Sequence, residues 1–352
     1  MALSFLNGQP RKPDRILSID LGSKTTKAAL VQRRGEKFNL LGFAVQDTPP
    51  SESALTADQL GAHIKAVATA VGGSPRFAAF TLGINDVLLR QADLPLVAPD
   101  DMRLMLKFNS KTHLQQEYPG YTFDCQLLNL NALGPDGAKP GAKVKTLVGG
   151  AKKDLVDQLA TAAKAAGLTA IHVAPPQAGI VNAFELAQPE AFAKEVVALV
   201  DIGFRNSSIC LLNQGELALN RLVGIGADKL TNTLAETLSI SYAEAESIKL
   251  GLPEEVQAAM QALLIPLGRE LRASIDFFEH QSDKTVSQVF ISGGSARSQF
   301  IVDSIQSELM VQCKAWNPTS AMNLELPAQQ LGEVEQAAPQ LAIAIGSAIG
   351  AL

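Results

Sequence analysis

The chain has 352 residues, 47% of them hydrophobic, enough to bury one large core or two lobes of ordinary domain size. Its 30 basic and 35 acidic side chains include no Lys/Arg cluster longer than a few residues, which leaves a nucleic-acid surface without an electrostatic source. Cys125, Cys210 and Cys313 stand apart without metal-ligand spacing, and the longest apolar run, Leu341 to Leu352, is too short and too Gly-interrupted to span a bilayer; a reducing cytoplasm is therefore expected, with no disulfide framework, no zinc site and no direct membrane span.

In chain order, residues 1–14 carry Gly8, Pro10 and Pro13 and read as a flexible arm. Strands are expected over Arg15–Leu21, Thr26–Arg33, Lys37–Val45, Phe77–Leu82 and Val87–Leu94, with an amphipathic helix over Ala57–Ala70 capped by Thr56. Pro99-Asp100 opens a short helix bearing Met102, Met105 and Leu106. A strand through Phe123–Leu130, a Gly/Pro-rich loop over Leu133–Gly141, a strand over Lys143–Gly149 and a helix with Leu155, Val156 and Leu159 on one face follow. Residues 15–96 and 173–194 are expected to form a first lobe and 97–172 an inserted α/β subdomain. Residues 195–352 are assigned to a second lobe, with its own subdomain at about 226–285. There, helices are expected up to Leu238, over Ala243–Leu250 and over Pro253–Gln281, the last broken or kinked at Pro266. A strand over Val289–Ser292 runs into Gly293-Gly294-Ser295, and a closing helix spans about Ala338–Ala351.

Two segments repeat one pattern. Ile19-Asp20-Leu21-Gly22-Ser23-Lys24 and Val200-Asp201-Ile202-Gly203-Phe204-Arg205 each end an apolar strand on a carboxylate and a glycine, and each runs on to a second turn, Arg34-Gly35-Glu36 or Gln214-Gly215-Glu216. One such hairpin is an ordinary turn; two report a duplicated unit. A glycine turn with outward N–H groups suits phosphate, and two facing hairpins could hold a polyphosphate with its metal ion.

These two turns and the third, Ile291-Ser292-Gly293-Gly294-Ser295, resemble the phosphate-1, phosphate-2 and adenosine motifs of the actin/Hsp70/sugar-kinase superfamily. Within it the resemblance is to the PilM family of type IV pilus assembly, itself similar to FtsA. It runs through Ser18–Ser23 with Lys27, Lys152–Val156, Ala198–Gly203, Gly226–Thr231, Ala243–Lys249 and Glu270–Phe278, nearly the whole chain. The resemblance implies an α/β, two-lobed actin-like (ribonuclease H-like) ATPase fold with an inserted subdomain, binding ATP or ADP and Mg²⁺ between the lobes. Asp20 and Asp201 would hold Mg²⁺; Gly22, Ser23, Lys24 and Lys27 would meet the phosphates from the first hairpin, Gly203 and Asn206 from the second. Gly293, Gly294 and Ser295 would approach the nucleoside, and Glu246, Lys249 and Arg272 the ribose or adenine. Phe204, Arg205 and Ile225 depart from the family pattern. The segment Ile171–Pro176 lacks an acidic residue to position water, so slow hydrolysis is left open and no catalytic residue is named.

The implied role is a scaffold at the inner face of the cytoplasmic membrane. It would capture the N-terminal cytoplasmic peptide of a PilN-like bitopic protein between the first lobe and the insert, where Met102, Met105 and Phe108 are groove candidates. Pilus motor ATPases are further expected partners, and self-association is left open. An FtsA-like membrane-anchoring role, or a small-molecule kinase of the same superfamily, are the alternatives; the C-terminus lacks the basic amphipathic helix that the former needs.

Overall fold

The computed structural model describes residues 1, 3–6, 12–50, 55–128, 142–251 and 254–352. The loop expected over Leu133–Gly141 lies outside them. The chain folds into two compact units: 1–183 with 321–332 and 343–352, and 184–320 with 333–342.

In the first unit, runs of consecutive buried residues make a meander of β1 (Arg15–Leu21), β2 (Thr25–Arg34) and β3 (Lys37–Asp47), antiparallel throughout. The β2–β3 turn is tight because Gly35 takes a φ of 64°. Helix α1 (Ala57–Val71) starts at the expected cap: Thr56 and Gln59 exchange side-chain and backbone hydrogen bonds in a capping box. Its Leu60, Ile64, Val67 and Val71 are buried. Strand β4 (Phe77–Thr81) then pairs parallel with β1.

The insert begins earlier than expected. Strand β5 (Val87–Pro95) leaves the first sheet and, with β6 (Tyr121–Leu127) and β7 (Lys143–Lys152), builds a separate three-stranded antiparallel sheet in the order β5-β7-β6. Helix α2 (Pro99–Leu114) covers it, and Leu94, Met102, Leu106, Leu114, Phe123 and Val148 form its small core. The insert also ends earlier than expected: α3 (Lys153–Ala165) packs Val156, Leu159 and Ala163 into the core of the first sheet, and β8 (Thr169–Ala174) pairs parallel with β4. Helix α4 (Pro176–Ala187) follows.

The second unit repeats the design. After α5 (Pro189–Lys194), strands β9 (Val196–Ile202), β10 (Ser207–Asn213) and β11 (Glu216–Val223) form the second antiparallel meander, turned at Gln214-Gly215 with φ of 50° and 83°. Helices α6 (Ala227–Leu238), α7 (Tyr242–Gly251) and α8 (Glu254–Ser282) precede β12 (Gln288–Ser292), which lies parallel to β9. Helix α9 (Gln299–Leu309) leads to β13 (Cys313–Ala315), parallel to β12. The order β11-β10-β9-β12-β13 thus matches β3-β2-β1-β4-β8 strand for strand and direction for direction. Finally β14 (Asn323–Leu324) joins β3, and α10 (Ala328–Ala351) closes the chain.

Four expectations are corrected. Helix α8 runs on through Pro266, because Leu264, Leu267 and Leu271 around it are fully buried and their packing outweighs one lost N–H. Helix α10 likewise contains Pro339 and starts ten residues before the expected Ala338. Residues 321–332 and 343–352 belong with the first unit rather than the second lobe, since β14 pairs there. Residues 3–6 are no loose arm: Leu3 and Phe5 are buried, Phe5 N–H donates to Val173 O at 2.7 Å, and Ser4 N–H donates to Asp124 Oδ2 at 2.6 Å. Burying those two side chains stabilises by about 3–6 kcal/mol, while fixing four backbones costs about 4–8 kcal/mol. The segment is thus held near balance, and its hydrogen bonds tip it.

On β8, burial pushes the His172 imidazole down to about 4 from an ordinary 6.5, with the charges of Lys12 and the α-amino group adding to the effect. The unfolded chain takes up that proton at higher pH than the folded one. His172 therefore contributes stability, roughly 3 kcal/mol, that is complete above about pH 6.5 and is lost as pH falls toward 4. Urea midpoints should drop between pH 7 and 5, and His172→Gln should flatten that slope; an equal slope in the variant would assign the loss to other groups.

Candidate functional site

Each sheet ends its first strand on a carboxylate, and the parallel register decides what holds it. Asp20 lies opposite Thr81, the last residue of β4, and Thr81 Oγ1 donates to Asp20 Oδ1 at 2.9 Å. Asp201 lies opposite Ser292, the last residue of β12, and Ser292 Oγ donates to Asp201 Oδ1 at 2.9 Å. The duplication seen in sequence therefore extends to the groups that orient the carboxylates. Sequence reasoning missed Thr81: its only signal is a hydroxyl residue closing a strand.

Around the first hairpin, Lys27 Nζ stands 3.9 Å from Asp20 Oδ2. Thr48 Oγ1 donates to the Gly22 carbonyl at 2.7 Å, and Thr26 Oγ1 joins Thr48 at 3.1 Å and His63 Nε2 at 2.7 Å. Burial lowers the pKa of His63, which keeps the ring neutral in that bond. Gly22 N–H turns back on the Asp20 carbonyl at 3.1 Å, and Gly203 N–H on that of Asn206 at 3.1 Å. Both glycine donors thus close their own turns instead of facing outward as expected, whereas Ser23 is exposed and Lys24 half-buried.

The second hairpin is locked from behind. Ala227 N–H donates to Gly203 O at 2.9 Å and Asp228 N–H to Phe204 O at 2.8 Å, so the first turn of α6 caps itself on the β9–β10 turn. Gly226 makes room for Phe204 and Arg205, since a Cβ there would stand 2.4 Å from Phe204 O and 2.6 Å from Arg205 C. Gly293 has a φ of 92°, and a Cβ there would stand 2.4 Å from the Ile202 carbonyl, so only glycine brings the end of β12 so near to β9. Its N–H is bound to Pro339 O at 2.9 Å, which leaves Gly294 as the exposed residue of the turn and Ser295 buried behind it.

The helix charges separate. Glu246 and Lys249 meet on Thr231: Lys249 Nζ donates to Thr231 Oγ1 and to Glu246 Oε2, both at 2.7 Å, and Thr231 Oγ1 lies 2.7 Å from Glu246 Oε2. Nearby, Tyr242 OH donates to Asp228 at 2.9 Å, and burial followed by that bond raises its pKa to about 12. Arg272 is occupied elsewhere, donating to Leu309 O at the end of α9 at 2.8 Å and pairing with Asp276 at 2.6 Å. Of the groove candidates, Met102 is a core residue and Met105 half-buried against that core, because their face of α2 is the one that packs on the sheet. Phe108 is 73% exposed, and Leu104, which the sequence did not single out, 51%.

Carboxylate and hydroxyl oxygens are the donors that a hard cation such as Mg²⁺ takes, directly or through its water, so Asp20 and Asp201 fit that ion chemically. Among the described residues no group of three or more His, Cys, Asp or Glu is placed to hold a metal, and no helix is long and apolar enough to cross a membrane.

The family model described as type IV pilus assembly protein PilM matches residues 18–351. Among solved structures, a PilM–PilN type IV pilus biogenesis complex is similar over 97% of this chain and 100% of that one, at 21% identity and a TM-score of 0.82. The ethanolamine utilization protein EutJ from Carboxydothermus hydrogenoformans matches 97% of this chain and 91% of its own, at 14% identity and a TM-score of 0.56. Component A of the (R)-2-hydroxyglutaryl-CoA dehydratase of Acidaminococcus fermentans covers 96% of this chain and 97% of its own, at 10% identity and a TM-score of 0.50. At such identities the likeness shows the fold, which is that of the actin-like ATPases.

Removing either supporting hydroxyl takes one hydrogen-bond donor from a carboxylate. Thr81→Val and Ser292→Ala should each lower stability by about 1–3 kcal/mol in urea titrations; losses below about 0.5 kcal/mol in both would mean that other groups hold the two aspartates.

Proposed function

A chain matched from residue 18 to residue 351 belongs to the PilM family of type IV pilus assembly, and from that premise we propose that it is a nucleotide-binding scaffold of the pilus machine. The observation that carries the nucleotide half is the pair of carboxylates, Asp20 and Asp201, each fixed by a hydroxyl from the neighbouring parallel strand. A fixed acceptor at the end of each of two related strands suits the water shell of Mg²⁺. The ion would neutralise phosphate charge when bound.

In this reading Ser23 and Lys24 meet the phosphates from the first hairpin and Asn206 from the second. Lys27 stands beside the buried Asp20 as an ion-pair partner. Gly294 and Ser295 approach the nucleoside, with Glu246 and Lys249 held ready on Thr231. Arg272, committed to α9, serves the fold. ATP or ADP then works as a structural ligand, and its free energy of binding stabilises the assembled protein.

The partner half rests on the relative whose structure is a PilM–PilN complex. By analogy this chain binds the N-terminal cytoplasmic peptide of a PilN-like membrane protein and sits at the inner face of the membrane through it. The insert supplies the surface for this: Leu104 and Phe108, one turn apart on α2, form an outward apolar pair that the insert's own core does not use.

Asp20→Ala and Asp201→Ala should each weaken Mg-dependent ATP affinity by about tenfold or more in calorimetry while circular dichroism stays unchanged. Affinity equal to the parent's in both variants would overturn the nucleotide assignment.

A further inference from the structure

Where the edge of the first sheet meets the insert, residues 3–6 of the chain itself lie against Val173, Gly149 and Asp124. We propose that the outer edge of β8 and the adjoining β6–β7 surface form a seat for an extended apolar peptide. Residues 3–6 are its occupant in cis, a cap that a partner segment with the same apolar–polar–apolar pattern displaces. The proposal rests on the scaffold reading for the identity of the competitor; the seat is tested without it.

Three features define the seat. Strand β8 ends the first sheet, with β4 as its neighbour in the ladder, so its other edge offers unpaired backbone groups. Phe5 N–H takes the Val173 carbonyl at 2.7 Å, and Val173 N–H reaches Ser4 Oγ at 3.4 Å. One main-chain bond and one serine hydroxyl thus hold residues 4 and 5 to that edge, a partial form of the main-chain pairing that an added peptide makes.

The floor is bare backbone. A Cβ built on Gly149 of β7 would stand 3.3 Å from Leu3 Cδ1 and 3.2 Å from Phe5 Cε1, so two side chains at i and i+2 rest where β7 has none. Their alternation is that of a strand.

The wall reads a peptide N–H. Asp124 is 3% exposed; its Oδ1 takes Arg103 Nε at 2.9 Å, Arg103 Nη2 at 2.7 Å and the Cys125 N–H at 2.9 Å, while its Oδ2 takes the Ser4 N–H at 2.6 Å. With residues 3–6 removed, that buried oxygen loses a donor, and any incoming extended backbone restores one. Arg103 lies on α2, next to Leu104, and divides its guanidinium between Asp100 and Asp124, so the wall of the seat is tied to α2.

The test uses the full chain and a fluorescent synthetic peptide of residues 1–9. Phe5→Asp should eject the cap, and the labelled peptide should bind that variant about tenfold or more tightly than it binds the parent, where only the open fraction of seats is available. Adding Gly149→Val to Phe5→Asp should abolish that binding, because the new side chain fills the floor. Equal peptide binding by parent and Phe5→Asp, with circular dichroism showing both folded, would overturn the proposal. Native-state hydrogen exchange on the parent gives a readout that needs no variant. The Phe5 amide should exchange at least about 100-fold faster than those of β1, through local opening; exchange of both only through global unfolding would make residues 3–6 a fixed part of the core and remove the cap. Neither result touches the ATP titrations of the Asp20 and Asp201 variants, so this idea and the nucleotide assignment fail separately.

Discussion

The register between the first strand of each sheet and its parallel neighbour is the constraint on which the site depends. A slip of one residue between β1 and β4 would turn Thr81 to the other face of the sheet and take from the buried Asp20 its hydroxyl, and the same slip across β9 and β12 would separate Ser292 from Asp201. Register is secured by the buried pairs that precede the carboxylates along the strands, Leu17 and Ile19 against Ala78 and Phe80 in one core and Val200 against Ile291 in the other. The apolar layers thus set the polar site: packing chooses the alignment, and alignment chooses which hydroxyl meets which carboxylate.

Much of this is legible in the sequence because it is local. Apolar strand runs, the Gly35 and Gly215 turns and the Thr56 cap are read from neighbouring residues, and the repeated Asp-x-Gly hairpins announce a duplicated unit that the matching strand orders display. What escapes depends on residues far apart in the chain. The pattern of β5 looks like that of any other strand, and only its nine consecutive pairings with β7 place it in the insert. Thr81 and Ser292 acquire their role from partners 61 and 91 residues away. Pro266 breaks an isolated helix, but α8 is not isolated, and the buried leucines on both sides of it outweigh the local penalty.

The hairpin turns illustrate how a motif constrains less than it suggests. A glycine at such a turn is expected to present its N–H to a phosphate, yet Gly22 and Gly203 both turn theirs inward. Their service is steric: they let the strand reverse tightly enough that the following residues, Ser23 and Lys24 in one unit and Arg205 and Asn206 in the other, stand at the tip. What each tip presents is then set by its side chains, and these differ between the two hairpins. The first offers a hydroxyl and an ammonium, the second a guanidinium and an amide. A duplicated scaffold has in this way acquired two unlike ends.

The same division between scaffold and variable surface recurs in the insert. Its inward residues, Met102 and Leu106 among them, are consumed by a core of six buried side chains, which is small enough that little apolar surface is needed to close it. Leu104 and Phe108 are left over on the outer face of a helix whose inner face is already satisfied, so their exposure is not a defect of packing. The Arg103–Asp124 pair lies between these layers. With Asp124 almost fully buried, its charge requires a partner, and α2 supplies it from one side while the N-terminal segment completes the shell from the other. Two segments that are distant in sequence therefore satisfy a single carboxylate, and anything that moves one of them changes the energy of the other.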